Sequence, residues 1–498
     1  MDSEKPHVVL LSSPGMGHLI PILELGHRLI TLHSLRITVL VVATDPSTVR
    51  SHLHNQPADV RDLLEVVFLP PVDISPYVGP STAILSVLVL MMRHSMPLVR
   101  SSIDGMRSPR PSALIVDLFA TGAFDIAEEF GMLKYVFDTS NAWFLALTVY
   151  HPHLPESEEN RHVVDHEQLD IPGCPSLVYD DTVDVYMNPE NRILHEDYAE
   201  MGRDMAKADG ILINSWEELE PATLKALRDP KLLAKFSLPS VYPIGPIVRS
   251  VEPIGGSSFD CGEIILSWLN KQPQESVLYV SFGSGGTLCI EQMTELAWGL
   301  EMSGQRFIWV VRPPTVDQKW GSLFKLKKNG LTRLDDGTPE YLPEGFITRT
   351  KEQGLVVPLW APQTQILAHK ATGGFFSHCG WNSTLESIVN GVPMICWPLY
   401  AEQKMNATML SEHLGMAVRS KKAGTDRVLP RKVIETMVRE VMGRDTAEGK
   451  RLRSTVREIQ RMANAALEEG GSSYDALSKV VKQCEIKVQE AKERARGA

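Results

Sequence analysis

The sequence predicts an α/β fold in two halves of similar size, each built on an open parallel β-sheet. Three observations carry this. Residues 7–43 run strand, turn, helix, strand; a like succession restarts at Ser276; and a Pro-, Gly- and Ser-rich stretch lies between them. His7 to Ser12 (H-V-V-L-L-S) is a short apolar run closed by Ser13-Pro14-Gly15-Met16-Gly17. Leu19, Ile22, Leu23, Leu25, Leu29 and Ile30 then recur every three or four residues, the spacing of a helix with one apolar face. Arg36 to Ala43 is rich in β-branched residues and ends at the turn Thr44-Asp45-Pro46. Strands that are apolar on both faces imply a parallel sheet covered by helices. Ala113 to Asp117 is a further buried strand, Gly122 to Phe130 a helix, and Tyr135 to Asp138 the next strand.

Val241 to Ile247, and then Glu252-Pro253-Ile254-Gly255-Gly256-Ser257-Ser258, read as an interdomain linker. Beyond it, Ser276 to Ser281 is a strand, Phe282 to Thr287 a Gly-rich turn, Gln292 to Met302 a helix and Arg306 to Val311 a strand. Gly354 to Pro358, Gly373 to Ser377 and Val392 to Trp397 are further strands, while Lys319 to Pro343, with Asp335-Asp336-Gly337, is a solvated loop. Val480, Val481, Cys484 and Val488 fall at helical spacing near the end of the chain. In open parallel sheets ligands bind outside the carboxyl ends of the strands, so two such sheets facing each other across a linker should gather their unusual loops around one cleft.

Composition narrows the function. Of 498 residues, 43% are hydrophobic and 22% charged, which excludes a disordered chain. A formal charge of −11 gives no footprint for wrapping nucleic acid, although helix N-termini can still hold a small phosphorylated ligand. The segment Met1 to Pro6 does not read as a signal peptide. The apolar run from Ala83 to Met92 is about half the ~20 residues of a membrane helix. Six cysteines without a C-x-x-C pair argue against a zinc ribbon, and a chain this long needs no disulfide framework. The sequons at Asn382 and Asn406 would matter only in a secreted protein. These features predict a soluble cytoplasmic protein, with nothing that demands more than a monomer.

Two loops carry chemistry. Pro14-Gly15-Met16-Gly17-His18-Leu19-Ile20-Pro21 occupies the first strand-to-helix turn. A dinucleotide fingerprint would need a third glycine where Ile20 stands, which weighs against a nicotinamide- or flavin-dependent oxidoreductase. His18 sits at a helix start, where the dipole disfavours the imidazolium and keeps the ring a base. Asp117 ends an apolar strand, at a position where it can accept the histidine's Nδ1–H or cap the next helix. In the second half, a strand runs into His378-Cys379-Gly380-Trp381-Asn382-Ser383 and a helix through Val389. Small residues and exposed amides there suit a diphosphate, Glu386 a ribose diol, Trp360 a stacked heterocycle and Gln363 its edge. These parts describe a nucleotide-diphosphate pocket with nothing obvious for a metal. A catalytically silent nucleotide-sugar binding protein would keep this pocket without needing His18 and Asp117 in register.

The 44 residues from Trp360 to Gln403, with W-A-P-Q, H-C-G-W-N-S and a closing E-Q, resemble the signature box of plant family 1 UDP-dependent glycosyltransferases. P-G-M-G-H-L-I-P at 14–21 and V-S-F-G-S at 280–284 extend the resemblance over essentially the whole chain. Phe68-Leu69-Pro70-Pro71-Val72-Asp73, Asp117-Leu118-Phe119 and Trp397 to Lys404 resemble most the hydroquinone (arbutin synthase) and monolignol glucosyltransferase group. The resemblance implies a GT-B fold of two facing Rossmann-like domains. Residues 1–245 would bind the acceptor, 246–262 link, 263–470 bind the UDP sugar, and 471–498 form a helix packing back on the N-terminal domain. It implies His18 as catalytic base with Asp117 as its partner. Trp360, Ala361 and Gln363 would hold uracil and Glu386 the ribose. Ser284, His378, Asn382 and Ser383 would bind the diphosphate, and Trp381, Glu402, Gln403 and Thr139 the sugar. Gln403 as the last box residue favours UDP-glucose as co-substrate, with no metal and no further cofactor. Leu118, Phe119, Trp143 and the apolar 83–92 segment suggest a flat aromatic acceptor: a simple phenol, phenylpropanoid, stilbene or flavonoid. Asp138 departs from the aromatic or apolar residue usual before Thr139 and bears on the acceptor side.

Overall fold

The computed structural model describes residues 5–42, 60, 62–79, 82–106, 110–249, 259–314, 338–423 and 428–497. The turn Thr44-Asp45-Pro46, the stretch Glu252 to Ser258 and most of the Lys319 to Pro343 loop lie outside the described residues. The chain divides into two compact units, residues 1–249 with 462–498, and residues 250–461.

The first unit is a seven-stranded sheet: β1 (His7–Ser12), β2 (Arg36–Val41), β3 (Leu64–Phe68), β4 (Ala113–Asp117), β5 (Leu133–Asp138), β6 (Gly210–Ile213) and β7 (Ser240–Pro243). Every pairing is parallel and the order is β3-β2-β1-β4-β5-β6-β7, so the winding reverses between β1 and β4. Such a switch point leaves a crevice at the strand ends because the two crossovers depart in opposite directions. Leu11 pairs with Val116 in register, which sets the loop after Ser12 beside Asp117. One core cluster joins Leu25 and Leu29 of the helix Met16–His33 to Ile37, Tyr135 and Phe137, and takes in Ala476, Leu477, Val480, Val481 and Cys484 of the helix Ser472–Gly497.

The second unit is six-stranded: β8 (Val277–Ser281), β9 (Arg306–Val311), β10 (Gly354–Pro358), β11 (Thr372–Ser377), β12 (Met394–Cys396) and β13 (Ala417–Arg419). It too is parallel, in the order β10-β9-β8-β11-β12-β13, with its switch point between β8 and β11. Its core includes Leu296, Trp309, Phe376, Trp397 and Val438.

Three expectations are corrected. Val241 to Pro243 is no linker: it is the edge strand β7, paired with Ile211 to Ile213, where the proline needs no ladder donor on its outer side. The segment after Asp117 is first a 3₁₀ turn, Leu118–Ala123, and only then the helix Phe124–Glu129. The apolar run at 83–92 opens a 22-residue helix, Ile84–Gly105, long and apolar enough by length and composition to cross a membrane. In this fold that helix buries Leu88, Met91, Met92, Val99 and Ile103, and its Arg93 and Arg100 pair with Glu200 and Glu129.

Candidate active site

At the β1–β4 switch point the chain leaves Ser12 through Ser13, Pro14 and Gly15. Gly15 has φ +101°, a conformation glycine adopts without a Cβ clash, and it caps the helix Met16–His33. This turn sets His18 in the first turn of the helix, with its side chain 23% exposed. Asp117, fully buried, ends β4. His18 Nδ1 lies 2.8 Å from Asp117 Oδ2. A carboxylate in that place requires the hydrogen on Nδ1, which makes Nε2 the unprotonated, basic nitrogen. The other carboxylate oxygen, Oδ1, accepts from Ser13 Oγ at 2.5 Å and from the Phe119 amide at 3.2 Å. The Phe119 ring meets the imidazole edge-on, 5.1 Å between centroids. The aspartate is therefore held on both oxygens and the histidine on one nitrogen and one face.

Leu118 is buried, Phe119 half-buried and Trp143 buried. Trp143 belongs to the helix Ala142–Tyr150, whose start is capped twice. Asn141 Oδ1 accepts from the Phe144 amide, while Glu220 accepts from the Ala142 and Trp143 amides at 3.0 Å each and from Ser215 Oγ. Burial pushes the Glu220 carboxyl up to about 6 despite these donors. Asp138 and Thr139, both buried, follow at the end of β5; Asp138 Oδ1 accepts from the Ser140 amide at 3.0 Å, so its charge serves the local turn.

In the second unit the β8–β11 switch point carries the Gly-rich turn and His378. Gly283 has φ +76°, and a Cβ there would lie 2.6 Å from the His378 ring, so only glycine fits the approach. His378 is buried and its pKa is pushed down to about 4 by desolvation, which makes it neutral at physiological pH. Its Nδ1 has no hydrogen-bond partner among the described residues. Ser284 is exposed. The helix Trp381–Val389 follows, with Trp381, Ser383 and Glu386 buried and Asn382 half-buried in its first turn. Gln363, at the start of the helix Gln363–Ala368, donates from Nε2 to Glu386 Oε2 at 2.6 Å and to Ser383 Oγ at 2.9 Å. Tyr279 OH completes the chain by donating to Gln363 Oε1 at 3.3 Å. Trp360 is 50% exposed, while Ala361 beside it is buried. Gln403 is buried, and its Oε1 accepts from the Leu399 and Tyr400 amides at 2.9 and 3.1 Å; Glu402 before it is half-buried.

The structure thus draws Gln363, Ser383 and Glu386 into one hydrogen-bonded set and ties Gln403 into its own loop. Sequence reasoning missed Ser13, Glu220 and Tyr279. Among the described residues no three His, Cys, Asp or Glu side chains gather into a metal-binding group.

Residues 240–443 match the family described as UDP-glucoronosyl and UDP-glucosyl transferase. UDP-glycosyltransferase 72E1 of Arabidopsis thaliana is 46% identical over 499 residues, the full length of both chains. The chain belongs to this family. Hydroquinone glucosyltransferase of Rauvolfia serpentina is 40% identical, over 97% of this chain and 98% of that protein. The crystal structure of TcCGT1 in complex with UDP superposes with a TM-score of 0.88 at 48% identity, over 97% of this chain and all of that one. The two parallel-sheet units are those of a GT-B glycosyltransferase, an enzyme that uses a UDP sugar as donor.

Proposed function

We propose that this glycosyltransferase moves glucose from UDP-glucose to a hydroxyl of a small aromatic acceptor, with inversion, to give a β-glucoside. It acts as a cytoplasmic monomer without a metal ion, residues 1–245 serving the acceptor and 263–470 the donor. The observation that carries the reading is the His18–Asp117 hydrogen bond at 2.8 Å, an imidazole oriented as a base by a wholly buried carboxylate. A phenol has a pKa near 10 and holds its proton at neutral pH. His18 Nε2 takes that proton as the phenolic oxygen bonds to the anomeric carbon, and Asp117 steadies the imidazolium that results. General-base help of this kind contributes roughly 10²–10⁴-fold. The bond from the anomeric carbon to UDP breaks on the opposite face, so an α-linked donor yields a β-product.

The diphosphate leaves with an added negative charge. Amides at the start of the helix Trp381–Val389, the Asn382 and Ser383 side chains and His378 are the groups offered to it. Trp360 stacks on uracil, Ala361 and Gln363 hold its edge, and Glu386 takes the ribose hydroxyls. Ser284 adds a hydroxyl at the diphosphate; Trp381, Glu402, Gln403 and Thr139 hold glucose. Leu118, Phe119 and Trp143 line the acceptor side with apolar and aromatic surface.

The test is a panel of phenols with UDP-glucose, scored for glucoside and UDP, on the wild type and on His18→Ala. Glucoside from the wild type, and none from a variant that still binds UDP-glucose, supports the reading. Donor binding without a glucoside from any phenol would make the chain a nucleotide-sugar binder. Loss of donor binding in His18→Ala, with turnover of the residual complex unchanged, would make His18 structural.

A further inference from the structure

Strand β9 reads R-F-I-W-V-V and is buried from Phe307 to Val311. The next residue is Arg312, at the carboxyl end of a central strand, where an apolar or turn residue would serve the fold as well. Arg312 lines a cavity with Ser281, Gly283, Gly286 and Thr287 of the Gly-rich loop that packs on His378, beside the apolar Leu288 and Met293. Two half-buried arginines elsewhere find acceptors, although the Nε atoms of Arg419 and Arg453 also lack a hydrogen bond among the described residues. Arg28 donates to the Ile244 and Pro246 carbonyls, and Arg431 forks onto Glu295. Arg312 Nε has no hydrogen-bond partner among the described residues.

Among the described residues, the groups that act on the Arg312 charge are the hydroxyls of Tyr279 and Tyr400. Tyr279 is the residue bonded to Gln363 and through it to Glu386 and Ser383; Tyr400 stands in the loop that Gln403 closes. Burial lowers the guanidinium's pKa, so its charge is held at a desolvation cost. An arginine does not shed its proton to escape that cost, so the site calls for an anion. Its planar fork matches two phosphate oxygens at once.

We infer that Arg312 is a donor-binding residue whose guanidinium engages the diphosphate of the UDP sugar. The inference rests on the second unit being the UDP-sugar site, and the experiment separates the two. UDP and uridine are titrated calorimetrically into the wild type, Arg312→Gln and Arg312→Lys, at low and at high salt. In Arg312→Gln the affinity for UDP falls about tenfold or more, as loss of a charge-assisted hydrogen bond requires, while that for uridine stays within twofold. The salt dependence of UDP binding flattens with it. Arg312→Lys keeps a point charge without the fork and falls in between, and it carries the test alone should Arg312→Gln fail to fold. Equal losses for UDP and uridine would overturn the inference and assign the side chain to the base or to the fold. Unchanged UDP affinity in both variants would overturn it outright. A wild type that binds no UDP would overturn the donor-site reading and this inference with it.

Discussion

Ser13→Ala is the sharpest probe of the catalytic pair, because it touches neither reacting residue. Ser13 is 1% exposed and Asp117 fully buried, so no water replaces the lost hydroxyl. Asp117 Oδ1 is then left with the Phe119 amide at 3.2 Å alone. A hydrogen bond to a charged group is worth about 1.5–3 kcal/mol, which corresponds to roughly 10- to 150-fold if it is fully expressed in the transition state. That state is where it should be expressed, since Asp117 must face a charged imidazolium only as the proton moves. The expected result is a kcat lowered at least about tenfold with the KM for the UDP sugar within twofold. Ser13→Thr, which keeps the hydroxyl, should recover most of the rate. Steady-state kinetics at saturating donor, with thermal unfolding as a control for the fold, decide it. A kcat within twofold of wild type, or a loss carried wholly by donor KM, would refute the reasoning.

Gly283→Ala places a Cβ 2.6 Å from the buried His378 ring at φ +76°; UDP binding should weaken at least about tenfold by calorimetry, and an unchanged affinity would remove the loop from the donor site. Glu220, pushed up to about 6 from 4.5, binds its proton more tightly folded than unfolded. Its share of stability is therefore full below about pH 4.5 and lost as pH rises through about 6, about 2 kcal/mol in all. Urea unfolding of Glu220→Gln across pH 4.5–7.5 should show that slope removed, whereas parallel curves for variant and wild type would exclude it. Transfer should proceed at an unchanged rate in the presence of a chelator, and a tenfold loss restored by added magnesium would show that the amides and cations named here do not suffice for the leaving diphosphate.

The long apolar strands were legible because burial on both faces leaves an uninterrupted run: His7–Ser12, Ala113–Asp117 and Arg306–Val311 end where their composition changes. Of the edge strands, Gly354–Pro358 was legible as well, but two short ones were not. Ser240–Pro243 and Ala417–Arg419 are three or four residues long, and proline in the first reads as punctuation. Asp117 was legible because a carboxylate has no packing reason to end such a run. Ser13 was not, since Ser-Ser-Pro-Gly is ordinary turn chemistry and its partner stands 104 residues on. The bond from Gln363 to Glu386 depends on two helices meeting, which no local spacing reports.

The helix Ser472–Gly497 fills the same core as Leu25 and Leu29, so that hydrophobic centre closes only when segments some 450 positions apart come together. Residues 250–461 make their own interior and are synthesised in full before that closure. Contacts of such long sequence separation form late, because the chain between them must first be confined. During translation the sheet that carries His18 therefore waits, with a hydrophobic flank uncovered, until the helix Ser472–Gly497 has left the ribosome.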